Sequence, residues 1–335
     1  MGLADAGSKP DRRRLVAALR HMKPDRVPNF EVLVDDRSVR AILGLPAGRE
    51  RITSWTLSPT EAARLATAVG QDAVVCSLTW GGVPQGTIRS EEDLAGLVAP
   101  DPALARETLR PWIEAVAGSE MGLCARLSSP LTLSYMAAGP VPIESFMYML
   151  YDDPPLVEAL MDIYLAYHLA VVERIADMPF DFFYIGDDVS SSTGPLIGPE
   201  HLRELWAPRA GALVKAARAT GRPVMFHCCG MQEPILPYLL EWGVEAVHPI
   251  QPVANDIYAM RAEHGNRLTL VGNIDVADEL SFGTADDVRR SVRKHIDRLA
   301  ADGSYVVCSS HSIIDSVLPS NYVAMCDETR RYGVY

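Results

Sequence analysis

Apolar residues in this chain follow two periods. Short apolar runs of strand length are separated by longer stretches in which apolar positions return every three or four residues, as on one face of a helix. The second pattern predicts a helix over 11–22, with Asp11 as its N-cap and Pro24 closing it. Strands are expected at 27–34, 73–78, 123–127, 182–185, 224–226, 244–247, 268–271 and 305–307. Helices are expected at 38–43, 59–68, 102–117, 156–176, 199–219, 235–242, 256–263, 286–301 and 321–331, and 81–88 reads as an inserted hairpin. Strands alternating with helices imply parallel βαβ units. Eight strands fit an α/β fold of the (β/α)8 or TIM-barrel type, in one domain spanning 1–335 with an N-terminal helical extension; a doubly wound open sheet is the alternative.

In such a barrel the active site forms at the C-terminal ends of the strands. The residues at those ends are Glu31, Asp35, Asp36, Trp80, Arg126, Ser128, Asp187, Asp188, His227, Cys229, His248, Gln251, Asn273, Asp275, Cys308 and His311, a polar mouth on an apolar barrel. The run Val224–His227 stops in Cys228, Cys229 and Gly230. Side chains alternate along a strand, so His227 and Cys229 share one face and Cys228 takes the other. An imidazole and a thiol suit a borderline-soft ion such as zinc, although a buried histidine beside small apolar cysteines leaves the same pattern. Cys308 ends the last expected strand and reaches the same rim if the barrel closes, adding a second thiolate.

Glu31 lies inside the apolar stretch 27–34, where an unpaired charge is costly. It is expected to fill the fourth metal position when no substrate is bound, to pair with an arginine such as Arg126, or to face solvent at the outer end of the strand. Asp187 and Asp188 are candidate acid–base groups, and equally candidates for capping backbone amides.

Composition narrows the class. The chain has 335 residues, 48% hydrophobic and 22% charged, as in ordinary globular proteins. A formal net charge of −12 without a lysine-rich run argues against nucleic acid or an anionic membrane as partners. The apolar segment 156–175 carries Glu158, Asp162, His168, Glu173 and Arg174, which favours an amphipathic helix over a membrane span. Residues 1–10 contain no apolar core of signal-peptide length, and the 6 cysteines show no framework spacing, so a cytoplasmic protein with reduced thiols is expected. Phosphate-binding glycine loops, a Gly-x-Ser-x-Gly elbow and a His-Glu-x-x-His pair are all missing from the sequence.

The stretches 23–28 (KPDRVP), 194–200 (GPLIGPE), 227–230 (HCCG), 272–275 (GNID), 310–313 (SHSI) and 319–321 (PSN) together resemble the uroporphyrinogen decarboxylase superfamily over nearly the whole chain. The resemblance implies a single (β/α)8 barrel. True decarboxylases of that superfamily are metal-free and hold substrate carboxylates with arginines after the first strand. Here that place carries Asp35 and Asp36. The other branch comprises cobalamin-dependent methyltransferases that bind zinc through His-x-Cys and a distant Cys, matched here by His227, Cys229 and Cys308. That branch implies zinc in the barrel, a small methyl donor or acceptor (O-, N- or S-methyl, a thiol or a folate), and cobalamin carried by a separate corrinoid protein. A metal-free decarboxylase and a non-catalytic ligand-binding barrel are the rival readings.

Overall fold

The computed structural model describes residues 9–48, 50–80, 85–265 and 267–335. Its strands are, in chain order, β1 (Ala73–Ser77), β2 (Gly122–Ser128), β3 (Phe182–Gly186), β4 (Ser190–Ser191), β5 (Gly194–Pro195), β6 (Val224–His227), β7 (Ala246–His248), β8 (Thr269–Val271) and β9 (Tyr305–Val306). β4 and β5 form a small antiparallel hairpin after β3. The other 7 make one curled sheet in the order β1-β2-β3-β6-β7-β8-β9, every pair parallel. Parallel neighbours need a crossover between them, and helices such as Leu104–Val116, Pro154–Ile175, Ala207–Ala219 and Ala285–Leu299 supply it.

The strand expected at 27–34 is corrected: it forms only isolated bridges, Asn29 to Val307 and Val34 to Ile313. Pro28 has no amide hydrogen, which interrupts a regular ladder there. The segment nonetheless lies between the sheet's two edges. Val307 donates to Pro28 O (3.0 Å), Phe30 donates to Val307 O (3.2 Å), and Asp72 donates to Asn29 O (3.1 Å).

Strand alternation sorts the side chains into two apolar clusters. One holds Ala73, Val75, Cys124, Phe182, Tyr184, Met225, Ala246, Val271 and Val306 on the concave face. The other holds Val74, Cys76, Leu123, Ala125, Phe183, Ile185, Phe226, Val247 and Leu270, facing the helices. The helix Arg12–Leu19 closes the N-terminal end of the concave face. Asp11 caps it through Arg13 N, and Leu15, Ala18 and Leu19 are buried among the first cluster. Each buried leucine there contributes roughly 1.5–3 kcal/mol. Along the concave face this apolar plug gives way toward the strand ends to Ser77, Arg126, His227, His248 and Cys308.

Three helices escape the periodicity. Glu91–Ala95 buries no residue, and Pro130–Ala137 is buried on nearly all sides, so neither shows an amphipathic stripe; Pro142–Asp152 follows directly. The helix expected at 199–219 contains one wide turn at Leu202–Trp206. Pro208 cannot donate an amide to that turn, and Trp206, which ends it, packs on Phe226 of β6 and reaches Asp187. Of the hairpin expected at 81–88, residues 81–84 lie outside the described residues, and Ile88 bridges Ala138 in parallel. The long helix Pro154–Ile175 is apolar and long enough to cross a membrane, but it buries Leu156, Val157, Leu160, Met161, Tyr164 and His168 in the core.

Candidate metal centre

β6 carries the site because it ends in a histidine and then turns sharply. His227 is its last residue and pairs in register with Gly186 of β3 and His248 of β7. The turn is forced at Gly230, whose φ of +83° is left-handed and whose missing side chain lets the backbone of Ser190 and Ser191 approach. Gln251 Oε1 accepts from Gly230 N (2.9 Å), and Asn255 Nδ2 donates to Gly230 O (2.8 Å). This holds Cys229 over the concave face. Cys228 is buried on the other side, its thiol directed at Cys229 O (3.1 Å).

Among the described residues, Asp188, His227 and Cys229 present ligand atoms within 4.8 Å of one another. His227 Nε2 lies 3.4 Å from Cys229 Sγ and 3.3 Å from Asp188 Oδ1. Its other ring nitrogen meets His248 Nδ1 at 2.7 Å, which fixes the ring and turns Nε2 toward the thiol and the carboxylate. The ring of Tyr184 flanks both histidines, with centroids 5.5 Å from His227 and 5.7 Å from His248.

Electrostatics separates the groups. Burial alone lowers the His227 pKa, but the Cys229 sulfur and the Asp188 carboxylate outweigh it and bring the value to about 10. Burial raises Cys229, yet His227 and His311 bring it down to about 7. Asp188, also raised by burial, is drawn down to about 2 by His227 and Cys229. His248 stays neutral, its pKa pushed well below the usual range by burial and by His227. The result is one imidazolium between two anions. His311 Nδ1 is buried without a hydrogen bond among the described residues, and Asp188 Oδ1 has only the 3.3 Å ion pair with His227. A sulfur, an imidazole and a carboxylate that converge around one shared proton fit a zinc ion in its place.

The other expected site residues lie elsewhere. Asp187 turns away from the trio, accepting from Trp206 Nε1 (2.5 Å) and Thr132 Oγ1 (3.2 Å); burial raises its pKa to about 7. Cys308 and Glu31 are outside the trio and pair with each other, Sγ to Oε2 at 3.4 Å. Glu31 also accepts from Ser309 N (2.6 Å) and Ser309 Oγ (2.9 Å), so the partner of this buried carboxyl is Ser309, and Arg126 does not reach it. Burial raises Glu31 to about 8 and keeps the Cys308 thiol protonated. Asp188 is the carboxylate that lies within reach of His227 and Cys229. His248 and His311 complete the surroundings; the one signal for His248 was its place at the end of its own strand.

The chain resembles known proteins over this architecture. Residues 61–332 match the family model described as uroporphyrinogen decarboxylase (URO-D). A methylated-thiol–coenzyme M methyltransferase from Methanosarcina mazei is 26% identical over 207 residues, 61% of this chain and 52% of that protein, so the chain spans about half the length of the curated relative it matches. A solved methyltransferase structure from Methanosarcina mazei shares the fold, with a TM-score of 0.74 at 20% identity over 96% of this chain and 98% of the other.

Proposed function

Because the chain belongs to the uroporphyrinogen decarboxylase family, we propose that it is a zinc-dependent methyltransferase working with a corrinoid protein, and that it moves a methyl group to or from a small thiol or thioether. We read the curled sheet together with segment 28–30 as a (β/α)8 barrel whose mouth is the polar end of the concave face. The convergence of Asp188, His227 and Cys229 carries the reading. The methylated-thiol relative suggests sulfur as the reacting atom.

Asp188, His227 and Cys229 would hold the zinc, and Cys308, the thiol that the resemblance adds, is the candidate for a fourth position. Bound there, the metal supplies a mild Lewis acid that keeps a substrate thiol in its thiolate form. His248 holds the His227 ring in place through the Nδ1 contact, and the Tyr184 ring shields that side of the site from water. Asp188 adds the negative charge that one thiolate alone does not provide. Decarboxylation of a polyanion fits poorly. Near the mouth, Arg51 is bound to Asp35 and Arg40 to Asp36, so neither is free for substrate carboxylates.

The test is single-turnover methyl transfer. Zinc-loaded protein mixed with methylcobalamin and 2-mercaptoethanol should consume the methyl–cobalt absorbance and yield the methyl thioether, and the Cys229→Ala variant should not. Carbon dioxide release from uroporphyrinogen by metal-free protein would overturn the reading.

A further inference from the structure

Among the described residues Arg126 makes no ion pair, and the nearest acid that acts on it, Asp188, does so only at a distance. Arg126 lies on β2, in register with Ser77 of β1 and Tyr184 of β3, on the concave face above the apolar plug. Nη1 donates to Ser77 Oγ (2.9 Å), and the guanidinium stacks on the Trp55 ring at 3.9 Å. Trp55 is itself anchored by Nε1 to Val32 O (2.7 Å). Nε is buried without any partner, and no carboxylate among the described residues forms an ion pair with Arg126. A guanidinium stays charged at any physiological pH, and burying one unpaired is costly.

The free edge is the one that recognises acids. Elsewhere in this chain the Nε and Nη2 edge grips a carboxylate side-on, as in Arg13 with Asp11, Arg14 with Asp25 and Arg51 with Asp35. In Arg126 that edge makes no hydrogen bond among the described residues, while the remaining nitrogen is tied to Ser77 and the plane is set by Trp55. The fork is therefore oriented before any ligand arrives. Only β3 separates β2 from β6; Arg126 aligns through Tyr184 with Met225, and His227 lies two residues further on, so the two backbones are roughly 12 Å apart, with the Tyr184 ring beside His227.

We infer that Arg126 is the anion-binding and specificity-determining residue of the mouth, taking the carboxylate or sulfonate of a small substrate whose heteroatom reaches the Asp188, His227 and Cys229 group. This rests on the proposed function for the heteroatom end only. The anion end stands on Arg126 itself. In a chain of net charge −12, the unpaired cation also draws anions inward against the overall field.

Calorimetric titration of zinc-loaded protein with four probes tests this: 2-mercaptoethanesulfonate, 3-mercaptopropionate, 2-mercaptoethanol and ethanesulfonate. Wild type should bind the two anionic thiols about tenfold or more tighter than neutral 2-mercaptoethanol, the scale of one charge-assisted fork. Arg126→Gln should bring the three thiols to within about twofold and leave 2-mercaptoethanol unchanged, while Arg126→Lys, which keeps the charge but loses the fork, should restore part of the preference. The stronger of the two anionic thiols identifies the head group. Ethanesulfonate bound by wild type and lost in Arg126→Gln, with no advantage for any thiol, upholds the anion subsite while the thiol reading fails. Equal affinity of wild type for charged and neutral thiols, a comparison that needs no variant to fold, overturns the inference. So does an anion preference that survives Arg126→Gln.

Discussion

The thiols of Cys229 and Cys308 follow strands of one sheet, and each has an acid for a neighbour, yet their chemistry is opposite. Cys229 lies beside His227 and His311, and its pKa falls to about 7 against the cost of burial. Cys308 lies beside Glu31 and remains a thiol, raised first by burial and then by the carboxyl. Cys229 is half-buried and Cys308 fully buried, and burial raises both thiols, so burial cannot account for the fall at Cys229. Cation neighbours do: an imidazolium facing a sulfur stabilises the thiolate, and a carboxyl facing a sulfur penalises it. The carboxyls follow the same rule, with Asp188 held at about 2 by His227 and Cys229, and Glu31 raised to about 8 by burial that Ser309 offsets only in part. One end of the mouth is thus prepared for a metal, and the other is kept neutral.

Removing each thiol breaks the comparison most directly. Cys229→Ala should lose essentially all zinc after dialysis, measured by plasma mass spectrometry, whereas Cys228→Ala keeps it and Cys308→Ser loses less than Cys229→Ala. Equal loss from the Cys229 and Cys308 variants would join the two ends into one ligand set. Alkylation is the next largest contrast. In chelator-treated protein, iodoacetamide should label Cys229 at neutral pH, with a rate that climbs as pH rises through about 7, while Cys308 stays unlabelled until the protein unfolds. Peptide mass spectrometry reads both sites in one sample.

Support at a distance is worth less. His248→Ala frees the His227 ring and should weaken zinc affinity roughly 10–100-fold, measured by competition with a chromophoric chelator. The smallest effect belongs to the neutral end. Glu31 has a folded pKa near 8 against 4.5 for the ordinary carboxyl, so between those values the folded protein keeps a proton that the unfolded chain has released. Its contribution is fully present below the lower value and is lost as pH rises through the upper one. Glu31→Gln, which mimics the protonated acid, should therefore flatten the fall in stability between pH 6.5 and 8 by about 1–2 kcal/mol in urea titrations. An unchanged slope would mean that Glu31 is already ionised at neutral pH.

Periodicity carried much of this in the sequence. Alternation along a strand is a local property, so the shared face of His227 and Cys229, the opposite face of Cys228 and the polar ends of the strands were all readable before any fold was known. So were most helices, because their stripes and caps are local too; Asp11 caps its helix as expected. The helix Pro130–Ala137 was not readable, since burial on nearly every side erases the stripe.

What the sequence by itself determined is therefore which face each residue takes and that Glu31, in an apolar run, must find a partner. Only the tertiary structure decided which partner. Period two gives a side and no neighbour, because neighbours depend on how far each loop carries the chain past its strand. Asp187 and Asp188 are adjacent in sequence, yet the wide turn that seats Trp206 takes the first and the Thr132 hydroxyl holds the amide of the second, leaving its carboxylate to His227. Glu31 meets the Ser309 amide because segment 28–30 is hydrogen-bonded to Val307, a contact across most of the chain that no local pattern encodes. Among the described residues Arg126 makes no ion pair for the same reason: Ser77 on the neighbouring strand and Trp55 in a turn, the groups that meet it, carry no negative charge.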